Sequence, residues 1–215
     1  MLTTDNAPCR HTTLASLIAA CLLLATPSLQ AEMFVEQKVE QTGDAQYFTE
    51  VAPGVVKDSR TGLEWMRCSL GKRWMVNQKR CEKQFGWSIY FTWSGAQDFA
   101  KKLNARGGYE GKADWRVPTV RELLSLRYCS NGFVSKKIDL QDGQAAVPRS
   151  CNNSTYPTID VTTFPDTSYG YWSSTPNAER SDSAWNVDFG NGAVLDSHQY
   201  FRDSDFNKLA VRLVR

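Results

Sequence analysis

Four cysteines, Cys68, Cys81, Cys129 and Cys151, remain once the N-terminus is read as an export segment, and they constrain this chain more than any other feature. Arg10 and His11 precede an apolar run from Leu14 to Ala25, followed by Pro27 and a small-residue end at Ala31. That is the layout of a secretory signal peptide. The run is too short to span a bilayer as a helix. Cleavage near Ala31 removes Cys9 and Cys21 and leaves an even number of thiols. In an exported chain an even number reads as two disulfides. Three pairings are possible. Cys68–Cys81 and Cys129–Cys151 are preferred, because each closes a short polar loop, worth roughly 3 kcal/mol in the chain-entropy model. No Cys-x-x-Cys pair is present, which disfavours zinc. Lipoprotein processing is the alternative: Ile18-Ala19-Ala20-Cys21 resembles a lipobox, although Leu22, Leu23 and Leu24 carry the apolar run past the cysteine. A membrane is a partner only if Cys21 is lipidated.

Charge excludes one class of function. Loss of residues 1–31 takes Asp5 and Arg10 together, so the net charge stays at +2 (24 minus 22). A balance this even supplies no global field to draw the protein to nucleic acid. The 215 residues fit one domain with a tail: 1–31 a signal peptide, 32–49 a linker, 50–215 the folded domain.

Within that domain residues 114–126, Asp114-Trp-Arg-Val-Pro-Thr-Val-Arg-Glu-Leu-Leu-Ser-Leu126, mark a loop turning into a helix. Pro118 disfavours helix at Val117. Thr119 and Glu122 have the spacing of a capping box. Leu123, Leu124 and Leu126 supply the buried side, and Trp115 is placed to pack across the helix start. A second helix begins at Thr92 or Ser94 and ends at Gly107-Gly108, with Trp93, Ala96, Phe99 or Ala100, and Leu103 at helical spacing. Val55-Val56-Lys57 and residues 63–67 flank a turn ending in Gly62 and predict a hairpin. Residues 184–189 alternate, with Trp185, Val187 and Phe189 on one face and Asn186 and Asp188 on the other; Gly190-Asn-Gly192 turns the chain back. Residues 209–215 form the last strand, with Leu209, Val211 and Leu213 inward. Residues 127–168 are long, polar and turn-rich. Such a connection is functional or disordered, and a Cys129–Cys151 staple argues for order.

These motifs occur in the order of a known family. Gly62-Leu-Glu-Trp-Met-Arg-Cys68, Thr92-Trp93, Asp114-Trp-Arg-Val-Pro-Thr119 with Glu122-Leu123, Tyr171-Trp-Ser-Ser174, Ala184-Trp185 with Val187 and Phe189-Gly190, and Val211-Arg-Leu-Val-Arg215 together resemble the Lcl C-terminal domain family over roughly residues 50–215. The resemblance implies an α+β, C-type-lectin-like fold. It has two helices beside small antiparallel sheets, paired terminal strands and a long irregular loop region carrying the ligand. On this chain that region is 127–168, with the loops 175–183 and 197–207. The resemblance also implies export to the periplasm, the cell surface or the medium. No collagen-like Gly-x-y stalk is present.

Candidate chemistry is sparse. Lys72, Arg73, Lys79 and Arg80 form a basic loop inside the first staple, suited to an anionic glycan. Trp74 and Trp87 lie in the irregular stretch and are candidates for stacking on a sugar ring. Asp182, Asp203 and Asp205, with Asp188 and Asp196, are candidate calcium ligands. Trp185-Asn186 followed by Asp188 approaches the Trp-Asn-Asp calcium element of sugar-binding lectins, but Val187 interrupts it. Polar, solvated strand faces and loops are the alternative for all of these. Otherwise no cofactor is indicated. His198, the single histidine after export, has no identified Ser or Cys partner. No His-Glu-x-x-His, P-loop or dinucleotide fingerprint occurs. The expected function is therefore a non-enzymatic binding or adhesion module of the cell envelope, with a glycan or envelope protein as ligand. The alternatives are a cysteine-dependent oxidase like the formylglycine-generating enzymes, and a structural subunit of an envelope or pilus assembly.

Overall fold

Alternate residues of the strands enter two different cores, and this division sets the architecture. The computed structural model describes residues 43–198 and 208–215. The segment read as a signal peptide, Cys21, the linker up to residue 42, and Asp203 and Asp205 lie outside the described residues. β1 (Phe48–Ala52), β2 (Val55–Asp58) and β3 (Glu64–Met66) form one antiparallel sheet in that order. β4 (Lys72–Met75) and β5 (Arg80–Lys83) form a hairpin. Helices α1 (Trp93–Ala105) and α2 (Val120–Leu124) follow. β6 (Lys137–Ile138) and β7 (Val147–Pro148) make a minimal second hairpin. β8 (Gly170–Pro176), β9 (Ser183–Asp188) and β10 (Ala193–His198) close the fold as a sheet with β9 in the middle. The class is α+β, with small antiparallel sheets and two helices.

Both helix starts follow from their caps. The Thr92 side chain accepts from the Gly95 N–H at 3.2 Å. Thr119 Oγ1 accepts from the Glu122 N–H at 3.2 Å, and Glu122 Oε2 accepts from the Thr119 N–H at 2.7 Å, which completes the capping box. Leu123, Leu124 and Leu126 are buried. Trp115 does not lie across this start, as its position in sequence suggested. Its ring donates to the Tyr109 carbonyl at 3.1 Å, and the Asn104 side chain clasps its backbone, so it packs at the far end of α1.

The first core gathers Val56, Trp65, the leucines of α2, Tyr171, Trp185, Val187, Phe189 and Val194. The second gathers Val55, Met66, Leu70, Ala96, Ala100, Trp115, Trp172 and Ala184. Successive residues of one strand point to opposite faces. Hence Val55 and Val56, Trp65 and Met66, and Tyr171 and Trp172 divide between the two. Residues 183–187 of β9 are all buried, so the outward face read for Asn186 is covered. A central strand packed on both sides reads as a continuous buried run.

Residues 208–215 are the partition between the cores. They were expected to have one inward face, yet Ala210, Val211, Arg212, Leu213 and Val214 are all buried. Ala210 and Val214 face the first core, Val211 and Leu213 the second. The segment bonds to five parts of the chain: Glu64 and Met66 of β3, Leu70, Phe91, Arg116, and Gly170 and Trp172 of β8. Such shared pairing is why it is not a regular strand. Arg212 sits in this partition without a carboxylate partner among the described residues. It donates to the carbonyls of Met66 and Arg67 and to Thr167 Oγ1, with its guanidinium 4.7 Å from the Phe164 ring centroid. Burial pulls its pKa below the usual arginine value, partly offset by Tyr171.

Cys68 is joined to Cys81 and Cys129 to Cys151, with Cα–Cα separations of 5.5 and 5.3 Å. Order also begins within the segment read as linker. Asp44 caps a short turn over Ala45–Tyr47. Gly43 lies with positive φ against the Leu126 and Arg127 carbonyls, where a Cβ would collide.

Candidate functional site

The hairpin β4–β5 stands out from the sheets and is held at three points. Cys81 is bonded to Cys68. Trp74, opposite Cys81 in register, is only 7 % exposed and lies 4.6 Å beneath the Arg67 guanidinium. Asp166 supplies the third tether: its carboxylate accepts from the Cys81 N–H at 3.0 Å and its carbonyl from Lys72 Nζ at 2.7 Å.

Beyond β5 the chain turns back over α1. The Gln84 N–H donates to the Gly71 carbonyl at 2.9 Å, and Gly86 reverses the chain with φ 78°. Gly71 is required here, because a Cβ would collide with the Ser88 carbonyl. The Trp87 ring meets Phe99 edge-on at 5.4 Å, and Phe91 meets the same ring at 5.3 Å. Phe99 thereby props one edge of Trp87, which stays 40 % exposed, and Phe85 stands fully in solvent.

A two-part cleft results. The outer part, about 370 Å³, is lined by Arg73, Glu82, Lys83, Gln84, Phe85 and Trp87. The inner part, about 100 Å³, is walled mainly by Met66, Leu70, Phe99 and Leu103, and it shares Arg73, Gln84 and Trp87 with the outer. Glu82 is occupied by Arg80 at 2.9 Å. Arg73 and Lys83 have no carboxylate partner among the described residues. The mouth therefore combines Arg73, Lys83, two exposed rings and Gln84 with the Glu82 carboxylate, which stands opposite Arg73 in register, around a largely apolar inner wall.

The structure redistributes the residues singled out in the sequence. The basic loop is a hairpin, and Lys72 and Arg73, neighbours on one strand, face opposite ways, while the register puts Arg73 on the side of Arg80 and Glu82. Lys72 turns to Asp166, Arg80 pairs with Glu82 and Gln78, and Lys79 occupies the left-handed turn position. Arg73 alone of the four lines the outer cleft. Trp74 is a buried plug and offers no ring to a ligand. Lys83, Gln84 and Phe85 were missed. Their signal is the run Lys83-Gln-Phe-Gly-Trp87, an aromatic–glycine–aromatic turn directly after a strand, whose exposure no periodicity reveals.

Among the described residues the candidate acids Asp182, Asp188 and Asp196 do not converge. Asp182 is exposed and accepts from Ser183 Oγ at 3.1 Å. Asp188 accepts from the Gly190 N–H at 2.6 Å, and Asp196 holds Arg180 and Asn177. Asn186 donates to the Leu195 carbonyl and Ser197 Oγ across to β10. Among the described residues no three His, Cys, Asp or Glu side chains gather as they would around a metal.

Residues 127–168 are ordered; four apolar side chains pack inward and about half of the segment stays exposed. Leu140, Val147, Ile159 and Phe164 enter the first core. Arg127 donates to the Pro148 and Gly192 carbonyls, and burial pushes its pKa down to about 10. This region's exposed aromatic feature is Tyr156 beside Tyr169, ring centroids 5.3 Å apart. The Tyr169 hydrogen bond raises the Tyr156 pKa.

Residues 54–215 match the family model of the Lcl C-terminal domain. No curated protein matches the chain.

Proposed function

The chain belongs to the Lcl C-terminal domain family, which its match covers for well over half of its length, and for this member we propose an exported, non-enzymatic module of the cell envelope that binds an acidic glycan. The fold class is consistent with a C-type-lectin-like scaffold, and the ligand lies across the cleft between β4–β5 and α1. One observation carries the reading: an exposed, propped Trp87 ring in one cleft with Arg73 and Lys83, neither of which is ion-paired among the described residues. An aromatic face takes the C–H face of a sugar ring, worth about 0.5–1.5 kcal/mol beyond the area buried. Arg73 presents a planar fork that suits a carboxylate or sulfate, and Lys83 adds a point charge.

Export is supported by the two disulfides, which persist in oxidising compartments. Among the described residues no helix is long and apolar enough to cross a membrane. Binding rather than turnover fits sulfurs that are paired, since a disulfide offers no thiolate as nucleophile.

The test is titration of the purified protein with acidic and neutral polysaccharides at low and high salt. The reading predicts binding of the acidic polymer that weakens as salt screens the mouth. A blank result at low salt would overturn it. Thiol titration after denaturation, without reductant, addresses the cysteine-oxidase alternative: none is expected, and a free thiol would favour that chemistry.

A further inference from the structure

We propose that the cleft selects a saccharide unit carrying a small acyl substituent, an O-acetyl or N-acetyl group, which enters the inner part while the acidic ring lies on Trp87. This inference rests on the glycan reading above and names the ligand more closely.

The two parts of the cleft differ in size and chemistry. The inner part, at about 100 Å³, has room for roughly three waters at about 30 Å³ each. That is too small for a pyranose ring and ample for an acetyl group. Its wall is largely apolar, with Met66, Leu70, Phe99 and Leu103; Ser69, Lys72 and Tyr109 also line it, their polar ends engaged with Tyr171, the Asp166 carbonyl and the Pro53 carbonyl. A bare sugar hydroxyl directed there would lose its hydration without gaining a partner. A methyl group would instead leave water for an apolar wall, a gain of roughly fourfold in affinity.

The polar elements are placed to match. Gln84 lines both parts, so its amide stands at the junction where the acyl carbonyl would accept a hydrogen bond. Arg73 also lines both and lies on the cationic side. Trp87, the third shared residue, supplies the ring on which the sugar stacks, with Phe99 bracing it from within. An acidic sugar on Trp87 thus has its charge toward Arg73 and Lys83 and a substituent directed at Leu103. The two parts share these three residues, so a ligand in the outer part can extend a branch into the inner one. A long acyl chain would exceed the space, which separates this reading from a lipid site.

The test uses one O-acetylated uronic acid polymer before and after mild alkaline removal of the acetyl groups, titrated into the intact protein. The acetylated form is expected to bind at least about fourfold more tightly. Leu103→Trp, which fills the inner part, is expected to bring the affinity for the acetylated polymer down to that for the deacetylated one; Leu103→Met, of similar volume, is expected to preserve the preference. Equal affinity of the unmodified protein for both polymers would overturn the acyl proposal and leave the glycan reading standing, as would a preference that survives Leu103→Trp. Failure of both polymers to bind would overturn the glycan reading itself and this inference with it.

Discussion

The loops closed by Cys68–Cys81 and by Cys129–Cys151 are both polar and both stapled, yet they differ in what they line. The second delivers Leu140 and Val147 to the first core, with Ile159 and Phe164 following from the same long segment, and most of its remaining residues are exposed. The first sends Leu70 to the second core and Trp74 into the base of its hairpin, and its residues 68–73 line the cleft. A disulfide states that a loop is held; the spacing of its apolar residues decides whether it is core or surface. The region whose length suggested ligand binding sends four apolar side chains to the first core and leaves about half of its residues exposed, while the shorter one borders the cleft.

The largest effect expected from this contrast is at Phe164, fully buried against Phe48 at 5.1 Å. Phe164→Ala should cost about 3–5 kcal/mol in urea denaturation, while Phe85→Ala should stay within about 0.5 kcal/mol. A comparable loss at Phe85 would break the contrast. Paired Cys→Ser replacements come next. Each should cost about 3 kcal/mol, but only Cys68→Ser with Cys81→Ser should weaken binding of an acidic polymer beyond what stability explains. Equal binding losses from the two staples would erase the distinction.

Asp166→Ala should cost about 1.5 kcal/mol and raise amide exchange in residues 72–83 more than elsewhere, because it removes the tether to Cys81. Uniform exchange would place the hairpin's anchor in the disulfide alone. The smallest effect lies at the α2 cap, away from both loops. Burial pushes Glu122 up, but hydrogen bonds from Arg116 and the Thr119 N–H outweigh it and hold the carboxyl below the ordinary value of 4.5. A carboxylate with a lowered folded pKa contributes stability above its unfolded pKa and loses it as pH falls through the folded one. Glu122→Gln should therefore cost about 1 kcal/mol at neutral pH, and the difference should vanish on acidification. A difference that persists into acid would assign the cap no charge dependence.

Much of the fold was legible because its signals are local. Thr119 and Glu122 fix a helix start within four residues, and Thr92 does the same for α1. Short sequence separation made both disulfide pairings readable. What was not legible depends on the chain's distant parts. Residues 209–215 show an alternating pattern, but their second face is covered by the first core, whose members come from the whole chain. The same tertiary covering hides Asn186. At the cleft, Arg73 was read and Lys83 and Phe85 were not, since exposure of those side chains depends on where the 84–91 turn settles over α1. Trp74 and Trp87 look alike in sequence; the register with Cys81 buries one and the prop from Phe99 presents the other.

Hydrogen–deuterium exchange of the protein with and without a bound acidic polysaccharide tests the central claim most directly. The account predicts added protection confined to residues 72–87 and the face of α1 at Phe99 and Leu103, with no change across 129–168. Protection centred on Tyr156, Tyr169 or the Cys129–Cys151 loop, with residues 72–87 unaffected, would contradict it.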